Sequence, residues 1–238
     1  MSNSSSLSTL FIPCWWDGLP RNSGSARIRA EWICRNWSGA EVYDGSQPFA
    51  GHDLYVFQKA YLVNRTREWI RTVARWRDMG KCRLAFDLCD PDFLGEEHKH
   101  RMLTVLPLFD FSVATTGSIA KWLDQWLPAY VIPDRVDLGA LQEMGLQDKD
   151  PVHAGDPRLV WAGYEGNRSA LDVLLPTVAE LGFELEVIAV DRPRPFDEFW
   201  ADILQYDVLL NPHPDVPPFS YKSDNKTLIA WALGMPVA

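Results

Sequence analysis

An α/β fold in two halves, each an open parallel sheet with helices on its faces, is the class this sequence predicts. Three observations predict it. Short apolar runs rich in β-branched residues alternate with longer segments of helical period, the alternation stops between Pro133 and Pro157, and it resumes at Arg158. Residues 1–132 are therefore expected to form an N-terminal lobe, 133–157 a connection, and 158–238 a C-terminal lobe.

In the first half the β-type runs fall near 8–14, 39–43, 52–57, 82–87, 109–114 and 129–132. The helical patterns between them fall near 24–37, 60–79, 96–107 and 117–127. The connection carries Pro, Asp, Gly and Gln and has room for one short helix, Leu138 to Met144. The second series is a strand from Arg158 to Gly163, a helix from Arg168 to Leu181, and a strand from Phe183 to Val190. A helix from Phe196 to Gln205, a strand from Asp207 to Asn211, a helix from Lys222 to Leu233 and a strand opening at Pro236 complete it.

Composition narrows the function classes. With 238 residues, 47% hydrophobic and 23% charged, the chain can bury a sizeable core and keep a polar surface. Its net charge of −9 opposes non-specific attachment to nucleic acid or anionic lipid. No stretch approaches the roughly 18 apolar residues of a membrane-spanning helix, and the polar start Met1 to Ser8 lacks a signal peptide's basic region. The four cysteines show no C-x-x-C pair and read as free thiols of a cytoplasmic protein. Tryptophans at 32, 69, 76 and 122 fall where helices bury them.

The most informative stretch is Pro217 to Val237. It delivers Lys222, Ser223, Asn225 and Lys226 at or near a helix start and closes on Gly234, Pro236 and Val237. Cations and backbone N–H groups at a helix N-terminus suit an anionic diphosphate, although two lysines four apart also describe a solvated face. The run resembles the donor-site signature of the group 1 glycosyltransferases of GT-B fold. Phe219, Lys222, Ser223, Lys226, Ala232, Gly234, Pro236 and Val237 carry the resemblance. It departs from that family at two positions usually acidic, where this chain has Tyr221 and Ile229, so the usual carboxylate grip on a nucleotide ribose is absent.

Further matches extend the resemblance. Val160 to Gly163, followed by Asn167, Arg168 and Asp172, resembles the strand and glycine turn that open the family's donor lobe; without the later motif this is an ordinary turn. Val131 to Asp137 resembles the segment ending the first lobe, and no chemistry is assigned to it. Asp87, Asp90 and Asp92 resemble an acidic segment of the family; they could orient acceptor hydroxyls or bind a cation, or serve as turn residues around Pro91. Between the first strand and helix, the loop from Asp17 to Arg27 offers Arg21, Ser25 and Arg27 to an acceptor or phosphate, or is a plain turn; it lacks a G-x-G-x-x-G fingerprint. His213 lies in the Pro-rich exit before the donor motif. In the helix 60–79, Arg67, Arg71 and Arg75 oppose Trp69, Val73 and Trp76, a pattern of either a solvated crossover face or a peripheral membrane contact.

The resemblance implies two Rossmann-like lobes facing a cleft and transfer of a sugar from a nucleotide-diphosphate donor to an unknown acceptor, with retention. It assigns donor binding to Gly163, Asn167, Arg168, His213, Lys222, Ser223, Asn225 and Lys226, and catalysis to Asp87 and Asp90. No metal or further cofactor is expected. The rivals are a sugar-nucleotide epimerase and a catalytically degenerate nucleotide-sugar-binding or scaffold protein. Because the last strand opens at Pro236, the C-terminal lobe is expected to be incomplete, either as a fragment or covered by another subunit.

Overall fold

The computed structural model describes residues 7–14, 23–46, 49–61, 64–146, 149, 155–192 and 194–238, the side chains of 64–67 excepted. The chain divides into two compact units: unit 1 is Met1–Asp134 with Tyr221–Ser223, and unit 2 is Arg135–Ser220 with Asp224–Ala238.

Unit 1 is built on strands β1 (Thr9–Ile12), β2 (Ala40–Val42), β3 (Leu54–Gln58), β4 (Arg83–Leu88), β5 (Phe111–Ala114) and β6 (Ala129–Val131). They form one sheet in the order β2-β1-β3-β4-β5-β6, every pair parallel. Parallel neighbours require crossovers, and helices supply them: α1 (Gly24–Ala26), a π-helical stretch Arg27–Glu31, α2 (Trp32–Asn36), α3 (Asn64–Asp78), α4 (Glu96–Val105) and α5 (Gly117–Leu123). Both faces of such a sheet are covered, so its central strands are largely apolar. Leu10, Ile12, Tyr55, Phe57, Leu84, Phe86 and Leu88 pack with Ile70, Val73, Met102 and Ile119 of α3, α4 and α5. The residues between them in sequence, Phe11, Val56 and Ala85, pack on the opposite side with Ala30, Ile33 and Trp37. A period of two thus sorts each strand between two cores.

Unit 2 holds α6 (Leu138–Glu143), β7 (Leu159–Tyr164), α7 (Leu175–Leu181), β8 (Leu185–Val190), α8 (Phe196–Ile203), β9 (Val208–Leu210) and α9 (Asn225–Ala232). Its sheet has the order β8-β7-β9, again parallel. Val237 adds a parallel bridge to Leu209, where the sequence predicts a strand opening. Trp161 and Leu159 pack with Leu171 and Leu210 to make its core.

The helix expected from Arg168 to Leu181 is replaced by a 3-10 stretch, Glu165–Val173, followed by the separate α7. Pro176 explains the break: it lacks an N–H and its ring would clash with the carbonyl four residues back, so it is accommodated only in the first turn of a new helix. Gly182 ends α7 in the left-handed region at φ 71°, a conformation glycine adopts without a Cβ penalty.

Candidate functional site

The carboxyl ends of the unit 1 strands gather several buried charged side chains, Lys59 and Asp87 among them. In open parallel sheets ligands bind beyond these ends, where the strand order reverses. Here that reversal lies between β1 and β3, since the chain runs from β1 outward to β2 and returns to place β3 on β1's other side.

Lys59 follows β3 directly and is the unusual residue of this edge. Its φ of 49° is the one positive value among described non-glycine residues, and such a conformation costs on the order of 1–3 kcal/mol unless the surroundings impose it. The surroundings do so through the Lys59 N–H, which donates to the Asp87 carbonyl at 2.9 Å, while the Tyr61 N–H donates to the Lys59 carbonyl at 2.8 Å. The turn points the buried ammonium at Asp90 (2.7 Å) and Asp92 (3.0 Å). Burial would lower the Lys59 pKa, but the carboxylates, Asp90 foremost, outweigh it and hold the group charged well above its ordinary value. Asp92 also accepts a hydrogen bond from the Tyr61 hydroxyl.

Asp90 has a second cation, Lys222, whose ammonium donates to its other oxygen at 3.0 Å. Burial alone would raise the Asp90 pKa; Lys59 and then Lys222 reverse this and hold the carboxyl below the usual range. Asp87, at the end of β4, is paired with Arg29 at 2.5 Å, both side chains only 3% exposed. Arg29 projects from the π-helical stretch, and it also donates to the Ile132 carbonyl at 2.6 Å and reaches Asp134 at 3.5 Å. Asp134 in turn accepts from the Ser223 hydroxyl at 2.6 Å. Its pKa is raised, burial being the largest cause, with the Ser223 hydrogen bond and Arg29 opposing.

A third contact holds the same short segment of chain. Thr116 caps α5 by accepting from the Ile119 N–H, and its hydroxyl donates to the Tyr221 carbonyl at 3.2 Å. The Tyr221 ring meets Phe93 edge-on at 5.3 Å, and Phe93 stacks on Trp122 at 4.2 Å.

The carboxyl edge of the unit 2 sheet assembles a different group. Gly163 lies near the end of β7, and a Cβ there would sit 3.3 Å from the Lys226 ammonium and 3.1 Å from the Trp161 ring. Lys226 donates to the Ala162 carbonyl at 2.8 Å and lies 5.4 Å above the Trp161 ring, a cation–π geometry. Asn225 opens α9 and its side-chain nitrogen is buried without a protein partner. Beyond β9, His213 faces Asp224 at 3.8 Å.

The sequence-derived candidates thus separate. Gly163, His213, Asn225 and Lys226 lie at the unit 2 edge, whereas Lys222 and Ser223 belong to unit 1 on the carboxylates Asp90 and Asp134. Arg168 is exposed and pairs with Glu165 at 3.6 Å on the 3-10 stretch that also carries Asn167. Asp87 and Asp90 share the unit 1 edge, but each is tied to a cation. Ser25 bonds Ser23 at 3.0 Å and the Cys14 thiol at 3.6 Å, Arg27 is buried, and Arg21 lies outside the described residues. The four cysteines are free, with burial raising the Cys14 and Cys89 thiols. Among the described residues no three His, Cys, Asp or Glu side chains are arranged to hold a metal ion.

Sequence reasoning missed Arg29, Lys59, Thr116 and Asp134. The segment from Val131 to Asp137, to which no chemistry was assigned, supplies Asp134. Tyr221 and Ile229 are explained by packing: Tyr221 meets Phe93, and Ile229 is 1% exposed in α9, a position that would strand a carboxylate. No protein-family model matches this chain, and a search of curated proteins also finds no match.

Proposed function

We propose that this chain is a sugar-nucleotide-dependent glycosyltransferase of the two-lobed GT-B type, with unit 2 taking the donor and unit 1 the acceptor. The observation that supports it most is the meeting of Gly163 and Lys226, 63 positions apart in sequence, at the carboxyl edge of the unit 2 sheet. A glycine near the end of β7 leaves room for the Trp161 ring and the Lys226 ammonium beside the backbone, and Lys226, in the first turn of α9, brings positive charge together with helix N–H groups to the carboxyl edge of the sheet. That combination suits the diphosphate of a nucleotide sugar. In transfer, bond cleavage leaves negative charge on the departing diphosphate, and Lys226 with the α9 N-terminus stabilises it electrostatically.

A thermal-shift panel of nucleotide-diphosphate sugars tests the reading, because a ligand of the native state raises the melting temperature by mass action. One donor is expected to stabilise the chain, and Lys226→Met is expected to weaken its binding by about 1–3 kcal/mol, the range of a charge-assisted contact. Mass spectrometry of the products then separates transfer and donor hydrolysis from epimerisation and from binding alone. Failure of every donor to stabilise the chain would overturn the reading.

A further inference from the structure

The unit 2 sheet, in the order β8-β7-β9, leaves β8 at an edge: β7 pairs with one side of it, and no described residue pairs with the other. This edge runs the 6 residues from Leu185 to Val190, and Glu186 is its one charged member. Exposed edges are commonly blunted by a proline, a lysine or a bulge. β8 has no proline or lysine, and its register with β7 runs from end to end without a bulge.

The ladder fixes which backbone groups the edge offers. The Leu159 N–H donates to the Glu184 carbonyl at 3.0 Å, and Leu159 is in register with Leu185, so the even-numbered residues of β8 turn their N–H and C=O groups to β7. Those of Leu185, Val187 and Ala189 point away from the sheet, because both groups of one residue leave a strand on the same side.

Charge decides what can pair with them. Glu184 and Glu186 stand at the start of the edge and Arg192 just beyond its end, all exposed. A parallel second copy in register would set Glu184 on Glu184 and Glu186 on Glu186, and like charges directly opposite destabilise a pairing. An antiparallel copy instead brings acid to base at both ends of the contact. Outward-pointing residues must also face outward-pointing residues, which restricts the register. With Ile188 on the two-fold axis, Val187 exchanges hydrogen bonds with Ala189 of the partner subunit. Glu184 then lies opposite Arg192 of the partner subunit, and Glu186 is diagonal to it. Centring on Ala189 would set Leu185 against Pro193, which has no N–H to give, and centring on Val187 would set Glu184 against Val190.

We propose that β8 is a self-association edge, where two copies of the chain join β8 to β8 antiparallel across a two-fold axis at Ile188 and merge their unit 2 sheets into one. The same patch is used on both copies, so the contact closes as a dimer and does not propagate. A short ladder and exposed ion pairs make the dimer reversible. It stands independently of the donor reading.

Sedimentation velocity from micromolar to submillimolar concentration tests it. The wild type is expected to dimerise, and Glu184→Arg and Arg192→Glu each to weaken the dimer about tenfold, since both symmetry-related pairs turn from attraction to repulsion. An equimolar mixture of these two variants is expected to recover the wild-type affinity, because each charged end again meets its opposite. Ala189→Pro removes an outward N–H from an exposed residue and leaves the β7 ladder intact, so this variant should be folded and monomeric. If circular dichroism shows it unfolded, the mixture decides. A wild type that stays monomeric throughout overturns the proposal, whether the edge then remains bare or takes a strand from another protein. A dimer that persists in folded Ala189→Pro overturns it by pointing to a different surface. A mixture no tighter than the single variants overturns it as well, because the charge match that selects a second copy would then be absent.

Discussion

Asp90 and Asp134 occupy one charged edge and respond to it in opposite directions. The depressed Asp90 carboxyl binds fewer protons in the folded chain than in the unfolded one, so its stabilising contribution is complete above the ordinary aspartate value of about 3.9 and is lost as the pH falls through its lower folded value. Asp134, raised by burial, carries the opposite sign and disfavours the folded state as the pH rises past the unfolded value. Thermal melts across the acid range should therefore show the wild type losing stability below about pH 4 more steeply than Asp90→Asn. A variant that follows the wild-type profile throughout would show that Lys59 and Lys222 do not hold Asp90 ionised. At Lys59 the backbone and the charge make separate demands, because the left-handed turn favours glycine while Asp90 and Asp92 favour a cation.

Thr116 connects the start of α5 to the segment Tyr221–Ser223. Its hydroxyl accepts from Ile119 at the start of α5 and donates to Tyr221, so Thr116→Ala removes a helix cap and a tether together. Loss of the cap should cost about 1 kcal/mol. Denaturant titration is expected to show that loss for Thr116→Ala and near-complete recovery for Thr116→Ser; equal destabilisation by both would mean that the hydroxyl is not what matters. Most elements were legible in the sequence, because apolar runs such as Leu84 to Leu88 sit between turn residues and helices such as α3 have one apolar side. The exceptions have local causes. Pro176 divided a helical pattern, and the turn at 59–61 shortened the start of the helix expected at 60. The candidate site was less legible: Asp90 and Lys222 were singled out, but nothing local to either announces that they meet 132 positions apart. Arg29 was hidden inside a helical pattern, in the part that forms the π-helical stretch Arg27–Glu31.

The two units differ in how deeply their strands are buried. In β4 every residue from Leu84 to Leu88 is buried, whereas β8 from Leu185 to Val190 has no fully buried residue. Opening free energy follows local burial, so native-state hydrogen exchange should find β3 and β4 most protected and β8 among the first strands to exchange. Equal protection of β4 and β8 would refute this ranking. Unit 1 is also assembled from pieces of sequence made at different times. Its last strand ends at Val131, and Tyr221–Ser223 follow roughly 90 residues later, which at about 5–20 residues per second is a delay on the order of ten seconds during synthesis. Throughout that interval two cations, Lys59 and Arg29, face four carboxylates, Asp90, Asp92, Asp87 and Asp134, within the nascent part of the chain. That edge therefore waits with an excess of negative charge, and Lys222 in the late segment brings it a third cation.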